Sequence, residues 1–455
     1  MTQNISSLKI PILSLSLSLS LSLWLTIKMV VLKNYYTVRP AEPTPSSGIC
    51  MSDCDQDKPI THAPLICFYG SLPGLSFASI IETLKISLSK ALVCFYPLAG
   101  RLYWTTGNSG RVALNCNSMG ARLYQADDPL DQLPLLLVQL TKFSCGGVSL
   151  GLATSHIMID GLSLSHFIST WAKFARGEPL DVLPFLDRTL LLARDPPIPP
   201  QFNHDRFSPP PLLIGGSDNQ EERSKETTVA MFHLSKTQVE KLKHMANVSR
   251  ATNVQSYSRY EAVAGHLWRC TCNAREHKNN QITKLYFQVN FRNRMLPPFP
   301  QGYFGNAILR IAASSQSGEL MTRPLGHASS KIREAVEMVT DDYVRSAIDL
   351  VKVQPDLTRF RTYHTVGSTQ GHFYGNPNIE ITSWIGLPLK NVDFGWGKEI
   401  YMGPATVAFD GKCFIFSGRD GDGSLTIAMR LQVAHMDAFK EFFYKDISDW
   451  SCSKL

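Results

Sequence analysis

The chain has 455 residues, 44% of them hydrophobic and 18% charged, which supports a large buried core, excludes disorder as the default and predicts two or three domains. Its net charge of +7 is spread without a dense Lys/Arg run, so DNA is a poorer partner than a small anionic ligand. The ten cysteines include no CxxC pair, and Cys270-Thr271-Cys272 is too tight for zinc, so they read as free thiols in a reducing compartment with no metal site.

Residues 13–23 alternate Leu and Ser ahead of Trp24. The serines dilute the apolar run below what a secretory signal or a membrane span needs. Residues 1–28 therefore read as a low-complexity leader outside the fold, with a targeting segment as the alternative, and the protein proper begins near Met29. An N-terminal domain is expected over 29–194. Phe77, Ile80, Ile81, Leu84, Leu88 and Leu92 share one helical face. Val148–His156 alternates as a strand, Asp160-Gly161 turns, and Leu164, Phe167, Ile168, Trp171 and Ala175 mark a second helix ending before Gly177.

Residues 195–226 hold seven prolines between 196 and 211 and then Gly215-Gly216, which reads as a stiff crossover linker. A C-terminal domain is expected over 227–455. It opens with Ser235-Lys236-Thr237-Gln238, a capping-box form. A buried helix follows through Tyr260, Val263, Ala264, Leu267 and Trp268. Strand signals lie at Leu285–Asn290, Ile379–Trp384, Cys413–Ser417 and Ser424–Val433. Helices and strands mix in both halves, so the fold class is α/β or α+β.

Two motifs carry chemistry. His156-Ile157-Met158-Ile159-Asp160-Gly161 places an imidazole, ordinarily near pKa 6.5, where a strand runs into a turn. With twelve histidines in the chain, this spacing alone fits a satisfied core histidine equally well. Asp393-Phe394-Gly395-Trp396-Gly397 is a far rarer string. By itself it predicts a turn, with the glycines in conformations closed to other residues and Trp396 packed beneath.

Together, and in this order, the two motifs resemble the hallmarks of the plant BAHD acyltransferases. Tyr96–Leu102, Tyr260-Glu261, Gly302–Asn306 and Tyr401–Pro404 extend the resemblance over nearly the whole chain from Met29. It implies two chloramphenicol-acetyltransferase-like domains joined by a crossover loop, with a channel between them. Acyl-CoA is then a co-substrate, no cofactor is bound, and the protein is a cytoplasmic monomer. His156 would be the general base. Asp160 would be structural, paired with an arginine of Asn290–Arg294; Arg294 is favoured, with Arg292 as the alternative. Thr382 and Trp384 would line the acceptor site, the indole N–H serving a tetrahedral oxyanion. Period two puts Glu380 on the same face.

Within the family, Thr37–Thr44, Gly177–Leu180, Leu186–Arg188 and Leu431–Met436 are similar to the spermidine hydroxycinnamoyltransferases. That implies a hydroxycinnamoyl donor and an amine acceptor, with Glu380 as a candidate ammonium partner or else a solvated strand-end carboxylate. Shikimate or quinate O-acylation is the alternative. Relatives of that kind carry an arginine upstream of Thr-Ser-Trp where Thr369 stands, and no Lys or Arg occurs from Thr362 to Leu389. Ala63, Leu65 and Cys67 also depart from the hydroxyl-bearing residues of both groups. Two readings from other classes are a serine hydrolase, from Gly147–Gly151, and an inactive binding protein. The first needs Ser149 at a sharp elbow, whereas Ser149 lies inside the alternating strand.

Overall fold

Runs with period two become strands, and runs with period near 3.6 become helices laid over them. The computed structural model describes residues 34–448 apart from 73, 108, 123–129, 216–218, 249, 362–373, 390–391 and 419–420. The leader 1–28, Thr369 and Cys452 lie outside the described residues.

The strands in chain order are β1 (Thr37–Val38), β2 (His62–Tyr69), β3 (Arg101–Trp104), β4 (Val112–Asn115), β5 (Ala121–Arg122), β6 (Leu136–Lys142) and β7 (Val148–Ser155) in the first half. The second half supplies β8 (Thr227–Leu234), β9 (Ile282–Asn290), β10 (Ile308–Gln316), β11 (Ile379–Ser383), β12 (Tyr401–Pro404), β13 (Lys412–Ser417) and β14 (Leu425–Gln432). They form two six-stranded mixed sheets, ordered β1-β5-β6-β7-β2-β12 and β10-β9-β11-β13-β14-β8, and the hairpin β3-β4.

The helices Phe77–Cys94 and Gly161–Ala175 share the N-terminal core, where fully buried Trp171 donates its indole N–H to Ser87 Oγ at 3.0 Å. The second helix starts earlier than its apolar residues suggest, because Asp160 caps it by accepting from Ser163 N at 3.0 Å. The C-terminal core joins alternate residues of its sheet, among them Phe287, Ile311, Ile381 and Ile415, to the helices Arg259–Ala274, Leu325–Glu337 and Val433–Lys445. The alternation leaves Tyr286, Gln288, Arg310, Glu380, Thr382 and Lys412 on the opposite face of that sheet.

The expected division at the proline-rich segment is not a clean partition. β12, from the second half, pairs antiparallel with β2, Tyr401 opposite Phe68 and Pro404 opposite Leu65. Leu389, Val392 and Phe394 join the N-terminal core just ahead of it. The physical reason is an edge: without β12, β2 would present an unpaired row of backbone groups to solvent. Nor is 195–226 a bare spacer. Ile198 N donates to Asp349 Oδ2 at 3.2 Å, His204 Nε2 meets Ser346 Oγ at 3.0 Å, and Pro211 O accepts from Asn378 at 2.9 Å. Proline keeps its carbonyl, so the segment can be fastened without ladder hydrogen bonds.

Candidate active site

His156 is the first residue after β7, whose last residue, Ser155, pairs with His62. Its turn is held from both halves of the chain. His156 N donates to Thr61 O at 3.1 Å, while Asn306 Nδ2 reaches the carbonyls of His156 and Ile157 at 3.2 and 3.0 Å. Arg188 donates to the carbonyl of Met158 at 2.8 Å. The residue is half-buried. Nδ1 is enclosed and makes no hydrogen bond among the described residues. Burial holds the imidazole below its ordinary value of 6.5; the backbone carbonyl opposes, Lys58 lowers it, Asp160 raises it, and Lys412 lowers it again. The ring is therefore neutral at pH 7 and able to take a proton.

Asp160 is 1% exposed and engages Arg292, not Arg294. Arg292 grips both carboxylate oxygens, Nη1 to Oδ2 at 2.7 Å and Nη2 to Oδ1 at 3.0 Å. Ala307 N adds a bond to Oδ2 at 2.9 Å. Burial alone would raise this carboxyl, but the Arg292 charge and these bonds outweigh it and hold it below its ordinary value. The favoured Arg294 is a correction. In the turn after β9, Arg294 N bonds back to Phe291 O, and the Arg294 side chain caps the carbonyls of Val336 and Val339 at 2.8 and 3.0 Å. Asp160 thus ties the Gly305-Asn306-Ala307 segment to the histidine turn, and Asn306 completes the tie.

The Asp393–Gly397 string is a turn. Asp393 Oδ1 accepts from Gly395 N at 2.7 Å and Gly397 N at 2.9 Å, with φ of +102° and +100° at the two glycines. Phe394 is buried, its ring 4.9 Å from that of Trp171 and 5.5 Å from that of Trp396. Phe394 sits in the N-terminal core with Trp396 packed against it, and the turn leads toward β12.

Thr382 and Trp384 lie at the end of β11. Trp384 packs against the N-terminal core and against the small cluster of Val407, Phe416 and Ala428, with its ring 5.6 Å from Phe414. Glu380 is a correction to both of its expected roles. It is 2% exposed, with Oε2 bound by Arg310 at 2.9 Å and Oε1 by Lys412 at 2.7 Å. It is neither a solvated carboxylate nor one open to an ammonium ligand. Lys412 also donates to Thr382 Oγ1 at 2.8 Å. Leu65 and Cys67 are buried in the N-terminal core. Ser149 is likewise buried within β7, opposite Phe68 and Thr141, so there is no nucleophile elbow.

Sequence reasoning missed Lys412, Arg310 and Asn306. Asn306 ends the Gly302–Asn306 string, which carried the family resemblance but no role for the residue. Lys412 and Arg310 reach Glu380 from two other strands, so no spacing along β11 could have pointed to them. Among the described residues no group of three or more His, Cys, Asp or Glu could hold a metal ion, and no helix is long and apolar enough to cross a membrane.

A model of the Transferase family matches residues 28–128 and 122–446. The chain is 45% identical to hydroxycinnamoyl-CoA:piscidic acid hydroxycinnamoyltransferase of Actaea racemosa, over 92% of this chain and 100% of that one. It is 39% identical to shikimate O-hydroxycinnamoyltransferase of Nicotiana tabacum, over 91% and 99%. Among solved structures, vinorine synthase superposes with a TM-score of 0.66 at 23% identity over 91% of this chain and 98% of that one. TRI101 of F. sporotrichioides, in complex with coenzyme A and T-2, superposes with a TM-score of 0.70 at 18% identity over 87% and 97%. These two likenesses speak to the two-domain fold. The full-length matches to sequence relatives, together with the family model, establish that the chain belongs to the BAHD family of acyl-CoA-dependent acyltransferases.

Proposed function

We propose that this enzyme moves a hydroxycinnamoyl group from its CoA thioester to a hydroxyl of a small acceptor, with His156 Nε2 as general base. The acceptor oxygen attacks the thioester carbonyl while Nε2 takes its proton. The tetrahedral intermediate then expels the CoA thiolate, which recovers that proton from the imidazolium. The indole N–H of Trp384, which packs between the N-terminal core and the Val407, Phe416 and Ala428 cluster, is the candidate donor to the oxyanion. Thr382 is the candidate acceptor contact. The observation that carries the reading is a neutral, half-buried imidazole whose backbone is clamped by both halves of the chain.

Spermidine, the acceptor implied by the sequence resemblance, becomes the weaker reading. Its ammonium groups would need a carboxylate, and Glu380 is occupied by two cations. The test is CoA release from p-coumaroyl-CoA with shikimate, piscidic acid and spermidine, in wild type and His156→Ala. Acceptor-dependent release that disappears in the variant is expected. Full transfer by His156→Ala would refute the proposal.

A further inference from the structure

Around His156 the protein carries more buried positive charge than its own carboxylates cancel. Glu380 is shared by Arg310 and Lys412, and Asp57 by Lys58 and Arg206, so four cations meet two carboxylates. The neighbouring charges pair one to one: Asp55 with Arg188, Asp160 with Arg292, Asp205 with Lys284. All four cations are largely enclosed, with side-chain exposures of 7–12%. The two groups adjoin. Arg206 feels the charge of Arg310, and His156 feels both Lys58 and Lys412. Uncompensated buried charge is costly, so a ligand that brings negative charge to this place is favoured. Tyr286 gives an independent sign. It is 1% exposed, its ring centroid lies 4.0 Å from the Arg310 guanidinium carbon, and among the described residues its hydroxyl has no hydrogen-bond partner.

Acyl-CoA carries phosphates, but they lie a full pantetheine arm away from the thioester carbon, which must reach His156 to react. A cation whose field acts on His156 cannot hold those phosphates during the reaction. Substituents of the acceptor lie only a few bonds from its attacking oxygen. Of the three ammonium hydrogens on Lys412, Glu380 and Thr382 take two; the ammonium also lies 5.1 Å from the Phe414 ring and 5.9 Å from the Phe409 ring, and among the described residues no third hydrogen-bond acceptor meets it.

We propose that Lys412, backed by Arg310 and beside Thr382, is a carboxylate subsite, so that the acceptor is a small hydroxy acid bound as its anion. The proposal rests on the acyl-transfer reading above and names its substrate class. The cation that sequence reasoning sought on β11 and its upstream segment arrives from the neighbouring strand β13, where Lys412 stands opposite Glu380.

The test gives wild-type protein and p-coumaroyl-CoA a panel of hydroxy acids, each paired with its methyl ester, beginning with shikimate and piscidic acid. The free acid is expected to exceed its ester in kcat/KM by roughly 10–100-fold, as for a lost hydrogen bond to a charged group. Lys412→Met should narrow that ratio, chiefly through the acceptor KM. The double variant Glu380→Gln/Lys412→Met, which removes one charge of each sign and leaves no carboxylate stranded, should narrow it equally. Equal turnover of acid and ester by wild type overturns the subsite, whether or not any variant folds, and leaves the acyl-transfer reading standing. A rise confined to the acyl-CoA KM in the variants assigns the cation to CoA and also overturns it. No transfer to any acceptor, spermidine included, overturns both.

Discussion

An imidazole acts as a base only while uncharged, and burial keeps His156 in that state. For His156→Ala, kcat is expected to fall by about 10²–10⁴-fold, measured as CoA release, with the thermal unfolding midpoint little changed because the turn is held through backbone atoms. The pH dependence follows from the sign of the shift. The base form accumulates as pH rises through a value below 6.5, so kcat/KM should climb there and flatten above it. Lys58 and Lys412 lower the value and Asp160 raises it. In Lys412→Met the rise should therefore move to higher pH, since losing a nearby cation makes the imidazolium easier to form. A limb that stays in place would show that Lys412 does not act on the base. Asn306 is a positioning residue. Asn306→Ala removes its bonds to the His156 and Ile157 carbonyls, so kcat should fall with little change in KM or in the pH limb.

At the scale of elements, the helix Gly161–Ala175 and the turn after β9 are joined by one buried ion pair. Arg292→Met strands the Asp160 carboxylate and should cost about 3–5 kcal/mol in chemical denaturation. Arg294→Met, whose loss uncovers only two carbonyls at a helix end, should cost clearly less. Asp160 has a folded value below 3.8, so its stabilisation is present above the ordinary carboxylate value and is lost as pH falls through the lower folded one. Much of this layer was legible in the sequence. The alternation through Val148–Ser155 and the apolar spacing from Leu164 to Ala175 placed the strand, the turn and the histidine correctly. The choice between Arg292 and Arg294 was not legible, because two residues apart in a turn they project to opposite neighbours, and only the turn's geometry decides which meets Asp160. Glu380 was misjudged for a related reason. Period two put it on the right face, but its burial depends on Arg310 and Lys412, which arrive from β10 and β13.

The whole molecule is held together by exchange between its halves. β12 and Phe394 lie beyond the crossover in sequence yet complete the N-terminal sheet and core. Phe394→Ala is therefore expected to loosen the N-terminal half by about 3–5 kcal/mol, seen as faster amide exchange in β2 and in the helix Phe77–Cys94. Protection lost only in the C-terminal half would contradict this. The α/β or α+β class was readable from the mixture of strand and helix signals, while the two-domain arrangement was implied only by the family resemblance. The exchange was not, because a four-residue strand such as Tyr401–Pro404 carries no periodicity of its own, and its partner lies more than 300 positions away.

That strand also governs how the protein can be made. A ribosome delivers β2 and its neighbours long before the stretch that will border them, so during synthesis the emerging N-terminal sheet exposes an adhesive margin. The N-terminal sheet is consequently completed only after Tyr401–Pro404 has been made, long after β2 has emerged. Messages truncated before codon 401 should yield products that depend on chaperones or precipitate.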